Sequence, residues 1–585
     1  MSKIIGLSTV GHDCGVAYIV DGKIKHCFAE ERFTRLKGVL NQFVFPTFSL
    51  QKLQELEGIS IYDEDVIVVM PKMVLCGFDE LRKLCSKKEI QLYEHHYAHA
   101  CSSYYISGFK DDTLIITYDG GDSSLTDANI LTESIIDEIL KTKPPLPNPK
   151  AHISDWYVKW RESVKLGIEF DDTEIEYPIL LNKDSQWGTE WKYNRDIKYS
   201  VSLGTNNQIL PFTSVAGTDS LASLWHDVTD LLGFVGGKDE GKLVGLAAQG
   251  KFNQEMYDAI GHLFDFSNFG VIDYKWGNLH QVTKYISTLD LTQFSVKQDV
   301  AYMLQMFTEQ YMLDFISYFK TLAPHTTKLC LAGGIFANVK LNQKINEYLD
   351  FEEIFVAPAM SDEGLALGAA IAHAVKLQEF KVTTLPNLFL GNPTYDTNIP
   401  SNIKTQKFDA QYIAQLLQKR KVIGIYANNR EWGPRALGAT SIMYDPSDPK
   451  AQEYINFRLN RSEVMPFAPV VLSGKEDLLF YCYKSKYAAE FMTLCYNVKE
   501  QWAPKIPGVI NTFDNTARPQ IAKPGNEPFY SILDEFNKLT GIPCTMNTSF
   551  NIHGEPIINH PQEAINHLQN GVIDYLILNN QILSV

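Results

Sequence analysis

The start of the chain alternates short apolar blocks with turn residues. Residues 4–7 read as a strand and lead into the turn Gly11-His12-Asp13-Cys14-Gly15. Residues 16–20 and 24–29 read as two further strands around an Asp21-Gly22 hairpin turn. The charged run Glu30-Glu31-Arg32-Phe33-Thr34-Arg35 then opens the next element. Residues 67–70, 114–118 and 328–332 are apolar strands; the last two run into the glycine pairs Gly120-Gly121 and Gly333-Gly334. The second pair leads into a helix carrying Asn338, Leu341 and Ile345. Asp362-Glu363-Gly364 precedes a helix of small residues over 365–374. A stretch rich in Pro, Gly and Asn over 378–404 reads as a linker, followed by a helix over 412–420 and a strand over 422–426.

Strand, glycine turn, then strand or helix recurs at three separated places. Glycine lets backbone N–H groups approach phosphate oxygens, and two such turns facing each other clamp a nucleotide. Any one of them alone is a tight turn. No internal sequence repeat accompanies them. The stretch 124–212 differs from the rest: it is polar and aperiodic, and Trp156, Trp160, Trp187 and Trp191 stand in it as two i,i+4 pairs. That spacing suits a small packed core of an inserted subdomain.

A length of 585 residues calls for at least two domains. A net charge of −16 without a Lys/Arg-rich run argues against a nucleic-acid backbone as partner. Nine cysteines without a C-x-x-C pair argue against a disulfide framework or zinc ribbon and fit a reducing cytoplasm. The N-terminus lacks a signal-peptide shape, and no apolar run is long enough to span a bilayer.

The most specific chemistry lies in His95-His96-Tyr97-Ala98-His99-Ala100. On a helix, His95 and His99 share one face about a turn apart and can grip one metal ion. Two histidines rarely complete a site, and such a pair is also ordinary core filling. Asp119, at the end of an apolar strand, and Asp362, before a helix, are carboxylates in suggestive places.

Taken together with Gly11-His12-Asp13, the Glu30–Arg35 run, Asp119-Gly120-Gly121-Asp122, Gly241-Lys242 and Gly333-Gly334-x-x-x-Asn338, these motifs have a family order. The order continues with Glu431-Trp432-Gly433-Pro434-Arg435-Ala436-Leu437-Gly438, Pro466-Phe467-Ala468-Pro469, Thr516-Ala517-Arg518-Pro519-Gln520 and Asn547-Thr548-Ser549-Phe550-Asn551. The chain resembles the O-carbamoyltransferases of nodulation and of cephamycin, novobiocin and aminoglycoside biosynthesis, over nearly its whole length. The resemblance implies an α/β protein of two modules. A duplicated actin-like ATPase fold spans 1–385 with an insertion at about 124–212; a linker follows over 386–404, then a YrdC-like α/β domain over 405–585. It implies that carbamoyl phosphate and ATP, with Mg(II), give carbamoyl adenylate in the second module. Transfer to a hydroxyl of a small, specialised metabolite then occurs in the first.

By the same resemblance His95, His99, Asp119 and Asp362 hold a divalent metal. The donor types suit Fe(II), Mn(II) or Zn(II), and the family favours Fe(II). Gly120, Gly121, Gly333, Gly334 and Asn338 would bind the nucleotide, and His12 would be the general base. Arg435, Arg518, Asn547 and Ser549 would bind carbamoyl phosphate, since a planar guanidinium holds a small dianion through paired hydrogen bonds. The chain departs from the family at Asn429, Thr440 and Met465, where arginines are usual; Arg430, Arg458 and Arg461 are the candidates to replace them. No nucleic acid or membrane is expected as partner, and a homodimer is compatible with the reading. The alternatives are a tRNA-modifying threonylcarbamoyl-type enzyme built from the same modules and a non-catalytic nucleotide-binding scaffold.

Overall fold

The computed structural model describes residues 2–9, 13–37, 45–72, 78–123, 130–134, 136–137, 196–216, 220–265, 278–395, 397–461, 466–481, 484–485 and 487–585. His12, Met465 and most of the 124–212 stretch, including its four tryptophans, lie outside them. The chain divides into two compact units. The first holds Met1–Lys25 and Gly38–Thr384; the second holds His26–Lys37 and Leu385–Val585.

The first unit is built on two sheets. One contains β1 (Lys3–Ser8), β2 (Gly15–Val20), β3 (Lys23–Ala29, of which Lys23–Lys25 belong to this unit), β4 (Val66–Pro71), β5 (Ile90–Tyr93) and β7 (Ile130–Leu131) in the order β3-β2-β1-β4-β5-β7. The other contains β6 (Thr113–Ser123), β8 (Asp196–Thr205), β9 (Gln208–Ala216), β10 (Lys328–Ala332) and β11 (Glu353–Val356) in the order β11-β10-β6-β8-β9. In each sheet the first strand in sequence lies at the centre. It pairs antiparallel with the next strand (β1 with β2, β6 with β8) and parallel with the fourth (β4 or β10), which in turn pairs parallel with the fifth. The same order and the same strand senses occur twice. This is the duplicated arrangement of the actin-like ATPase fold.

Local sequence explains these elements. Asp21 and Gly22 both adopt positive φ, 47° and 68°, as a tight hairpin turn between β2 and β3 requires. The fifth strand of each sheet is followed by a helix: His95–Tyr104 after β5, and Leu365–Lys376 after β11. The second reads Leu-Ala-Leu-Gly-Ala-Ala-Ile-Ala and is buried from Leu365 to Ala374. Its small side chains allow close approach on two sides. A Cβ on Gly368 would lie 2.0 Å from the carbonyl oxygen of Ala98, and one on Gly6 of β1 would lie 2.0 Å from that of Ala366. The two helices therefore meet backbone to backbone.

The second unit surrounds one mixed sheet. Its strands are β12 (Lys404–Lys407), β13 (Ile423–Tyr426), β14 (Thr440–Tyr444), β15 (Ala468–Leu472), β18 (Gln520–Ala522), β19 (Cys544–Ser549), β20 (Tyr575–Leu578) and β21 (Gln581–Ser584), in the order β12-β21-β20-β13-β14-β19-β15-β18. A separate two-stranded sheet pairs β16 (Tyr496–Asn497) with β17 (Thr516–Ala517). Helices Ala410–Gln418 and Phe529–Thr540 cover one face of the large sheet through Ile413, Leu417, Phe529, Ile532 and Phe536, which pack on Ile423, Ile425 and Val470.

The unit boundaries differ from the modular division read from the sequence. Residues within 386–404, which read as linker, are built into the second unit. Gly391 N–H donates to Arg430 O (2.8 Å), Arg430 N–H to Asn392 O (2.7 Å) and Trp432 N–H to Leu388 O (2.8 Å). The segment His26–Lys37 also belongs there: Cys27 N–H donates to Leu390 O at 2.8 Å, and Arg35 Nη1 and Nη2 reach the carbonyls of Ile557 and Pro556, each at 2.8 Å.

Gly368→Ala should be destabilising, because backbone stands where the new methyl must go. Overpacking of this kind costs about 1–3 kcal/mol, read as a lowered melting temperature of the first unit. An unchanged melting temperature would show that the helices can separate freely.

Candidate metal centre and anion site

Glu94 is the N-cap of the His95–Tyr104 helix. Its carboxylate accepts from the backbone N–H of His96 (2.9 Å) and Tyr97 (2.6 Å). The cap starts the helix at His95, so His95 and His99 fall on one face, a turn apart. Asp119 lies in β6 where its register on β8 breaks, between Tyr118 and Asp122. Breaks of this sort re-aim side chains. Asp362 opens the single 3-10 turn Asp362–Gly364, which leads into the Leu365–Lys376 helix.

The four side chains converge. His99 Nε2 lies 3.0 Å from Asp119 Oδ2 and 3.3 Å from Asp362 Oδ1; His95 Nε2 lies 3.9 Å and 3.5 Å from the same atoms. All four candidate donor atoms fall within 4.8 Å of one another. Ligands about 2.1 Å from a common ion stand roughly 3.0–3.4 Å apart; the two His99 distances lie in that range, and the His95 ring stands a few tenths of an ångström wider. His99 is fully buried, and its Nδ1 has no hydrogen-bond partner among the described residues. Burial works against charge on His99, but hydrogen bonds to Asp119 and Asp362 outweigh it and raise its pKa. Burial likewise opposes the Asp119 charge, yet hydrogen bonds from His95 and His99 hold its carboxyl well below the usual carboxylate range. The donor set of two nitrogens and two carboxylate oxygens suits a borderline divalent metal.

His96, between the two, does something else. It is fully buried, its Nδ1 lies 2.7 Å from Thr117 Oγ1, and burial lowers its pKa to about 4. It ties the helix to β6 as a neutral ring.

The expected nucleotide residues take mixed positions. Gly334 lies against the site: a Cβ there would stand 2.9 Å from Asp119 Oδ1. Gly120 N–H donates to Asp119 Oδ1 at 2.7 Å, and Gly121 follows it in β6. Gly333 has φ 101°, and its N–H donates to Met360 O at 2.7 Å. The Asn338 side chain caps the Val339–Tyr348 helix, accepting from Lys340 and Leu341 N–H, and its Nδ2 donates to Gln305 Oε1 at 2.7 Å. An Asn placed just before an amphipathic helix is a readable sign of that role. Asp13, beside His12 in sequence, accepts a hydrogen bond from Ser361 Oγ at 2.8 Å, next to Asp362.

In the second unit the loop 431–440 is organised by Glu431, which is 3% exposed. Its Oε1 accepts from the N–H groups of Leu437 and Ala439 (each 2.8 Å) and Thr440 (3.0 Å), and its Oε2 accepts from Thr440 Oγ1 (2.5 Å). This fixes the turn that carries Arg435. Asn547 Nδ2 donates to Ala436 O (2.9 Å) and to Gln520 Oε1 (2.7 Å), and Gln520 Nε2 donates to Leu437 O (2.8 Å). Asn547 is 1% exposed, and its Oδ1 has no hydrogen-bond partner among the described residues. Arg518, two residues before Gln520, has a buried Nε in the same condition, and burial lowers its pKa. Arg461 reaches Thr548 Oγ1 and Ser549 Oγ, each at 3.3 Å. Arg435, Arg518, Asn547, Ser549 and Arg461 thus stand on, or next to, elements that touch, and Gln520, which the sequence marks only as a motif residue without a role, joins them. Arg458 is engaged elsewhere, by both oxygens of Asp574 (3.0 and 3.2 Å) and the carbonyl of Gly571.

Family comparison gives a consistent result. Residues 180–371 match the model of the carbamoyltransferase N-terminus, and residues 414–584 match that of the carbamoyltransferase C-terminus, together more than half of the chain. An uncharacterised protein of Methanocaldococcus jannaschii is 32% identical over 66% of this chain and 77% of its own length. The nodulation protein NolNO of Sinorhizobium fredii is 24% identical over 98% of this chain and 79% of its own length. Among solved structures, HypF of T.kodakarensis is similar at 12% identity and a TM-score of 0.35, over 64% of this chain and 48% of that one. The chain belongs to the carbamoyltransferase family and is a transferase enzyme.

The double variant His95→Ala/His99→Ala should lose at least about nine-tenths of the bound divalent metal, since two remaining carboxylates are a poor site. Elemental analysis of the purified protein checks this; metal content equal to wild type would overturn the assignment.

Proposed function

We propose that this chain is an ATP-dependent O-carbamoyltransferase working in two half-reactions. In the second unit, water releases phosphate from carbamoyl phosphate, and the resulting carbamate oxygen attacks the α-phosphorus of ATP, held with Mg(II). Carbamoyl adenylate forms and pyrophosphate leaves. In the first unit an acceptor hydroxyl attacks the carbamoyl carbon and AMP departs. The acceptor is a small hydroxylated metabolite, and the scattered cysteines, none in a disulfide among the described residues, suit a cytoplasmic enzyme.

The observation that carries this reading is the Glu431-organised turn. It presents Arg435 from a fixed backbone while Asn547 and Gln520 hold the adjacent residues. A guanidinium there binds the dianion through paired hydrogen bonds, and the Asn547 amide suits the carbamoyl group. His95, His99, Asp119 and Asp362 would hold the metal, with Fe(II) the favoured ion; when bound it supplies Lewis-acid stabilisation of phosphate charge. Gly120 and Gly334 leave room beside Asp119 for the adenylate. His12 takes the proton from the acceptor hydroxyl. Mass spectrometry after supplying carbamoyl phosphate, ATP and a panel of hydroxylated metabolites tests the whole reading; a product heavier by one carbamoyl group is expected, and its absence with every acceptor and without pyrophosphate release would overturn it.

Arg435→Ala should weaken carbamoyl-phosphate use by about 2–4 kcal/mol, roughly 30- to 1,000-fold. Carbamoyl-phosphate-dependent ATP–pyrophosphate exchange is the readout, and wild-type exchange would remove Arg435 from the site.

His12→Asn should still release pyrophosphate but lose transfer by about a hundred- to ten-thousand-fold, because the base acts only in the second half-reaction. Pyrophosphate release and acceptor carbamoylation followed in one reaction separate the two. Retention of more than about a tenth of the transfer rate would move the base elsewhere.

A further inference from the structure

The second unit holds a buried polar cluster that meets the Arg435 turn at Gly433. Arg32, brought in by the segment His26–Lys37, is 5% exposed, and Arg430 is 1% exposed. Arg32 Nη2 donates to Gly433 O at 3.0 Å. Its Nε lies 3.6 Å from Glu31 Oε1, in ion-pair range but too far for a hydrogen bond, and neither Nε nor Nη1 has a hydrogen-bond partner among the described residues. Arg430 lies over the Tyr426 ring at 3.6 Å from its centroid, and its Nη2 donates to the carbonyls of Ala427 (3.0 Å) and Asn428. Its Nε and Nη1 are likewise without partners among the described residues.

Two asparagines complete the cluster. Arg430 N–H donates to Asn392 O, Asn392 Nδ2 donates to Asn559 Oδ1 at 3.0 Å, and Tyr426 Oη donates to Asn559 O at 2.8 Å. Asn392 and Asn559 are 2% and 1% exposed, and Asn559 Nδ2 has no partner among the described residues. Burial lowers the Arg430 pKa, and the neighbouring Arg32 charge adds to that effect. The carboxylate next in sequence, Glu431, offsets part of the Arg430 charge, but its oxygens already accept from four other donors. Buried guanidinium N–H groups without acceptors are strongly unfavourable, and two like charges close together make it worse.

We propose that Arg32 and Arg430, with Asn559 Nδ2, form a buried binding site for a phosphate-class oxyanion. A tetrahedral dianion offers enough acceptor oxygens for the unpartnered N–H groups of both guanidinium forks and favours their charged form, which a neutral molecule does not. The site rests on these side chains; only the source of the anion rests on the proposed function. That source is free phosphate, the pyrophosphate produced from ATP, or the phosphoryl end of carbamoyl phosphate.

The test uses the full chain in an Arg435→Ala background, so that the Arg435 turn does not dominate the signal. Calorimetric titration with inorganic phosphate, pyrophosphate and carbamoyl phosphate should show binding of at least one, the tightest naming the source. Arg32→Gln and Arg430→Gln should each weaken it at least about tenfold. Should either variant lose its cooperative melt, Asn559→Asp, which keeps the side-chain size and sets a carboxylate among the donors, carries the same expectation. Absence of binding up to about 10 mM of each anion, or binding unchanged by these substitutions, overturns the site. The titration needs no turnover. Anion binding with no pyrophosphate exchange in wild type would therefore sink the proposed function and leave this site standing.

Discussion

The contact between Gly368 and the Ala98 carbonyl is the constraint on which the first unit's chemistry depends. It lets the Leu365–Lys376 helix lie backbone to backbone against the His95–Tyr104 helix. Asp362 stands just ahead of one helix and His95 at the first turn of the other, so the close approach brings their side chains together. Each helix follows the fifth strand of its own sheet, and Asp119 comes from the first strand of the second sheet. The donor set is thus assembled from equivalent ends of two equivalent halves. A larger residue at position 368 would widen the helix pair and move His95 and His99 away from Asp362, although it touches none of them.

In the second unit a carboxylate plays the organising part. Glu431 is buried, and burying an unpaired carboxylate is costly. Four donors from one loop meet its oxygens, and charge-assisted hydrogen bonds of that kind are among the stronger ones. The loop is consequently held from Glu431 to Thr440, and Arg435 at its middle is presented from fixed backbone. Arg458 shows the contrast: with both guanidinium edges engaged by Asp574 and Gly571, it braces the Ala451–Arg458 helix and has few N–H groups left for a ligand.

Local periodicity made much of the fold legible. The strands at 4–7, 16–20, 67–70 and 328–332 and the small-residue helix from 365 all appear within a residue or two of where the apolar pattern puts them. The convergence of His95 and His99 with Asp119 and Asp362 is geometry that the i,i+4 spacing alone left open. Other features depend on contacts with no local signal. The duplication is plain in strand order yet leaves no repeat in the sequence, because sheet topology constrains direction and burial rather than residue identity. The transfer of His26–Lys37 to the second unit rests on the backbone carbonyls of Leu390, Gly433, Pro556 and Ile557, which any residue offers, and on the ion pair of Arg35 with the distant Glu563. Composition marks 386–404 as a linker, but its backbone pairing with residues 430–432 is a long-range property. His96 has the same side chain as its neighbours and the opposite surroundings, because the helix turns it by about 100° toward β6.

The placement of charge bears on which anions the enzyme meets. The chain is acidic overall, so a polyanion is repelled at long range. A nucleic-acid backbone is bound by exposed Lys and Arg reaching successive phosphates, whereas Arg32 and Arg430 are more than nine-tenths buried and Arg518 has a buried Nε. Guanidinium groups in such positions accept a small anion that enters and loses its water, and they exclude a long one on steric grounds. By the family resemblance an arginine is usual at position 429; here the arginine stands at position 430, which acts in the same direction. Neighbouring loop positions face different ways, and Arg430 is turned inward onto Tyr426. A charge that would have stood in the family's usual slot is thereby placed where only a desolvated ligand reaches it, and low local dielectric makes each hydrogen bond to that ligand stronger than the same bond at the surface.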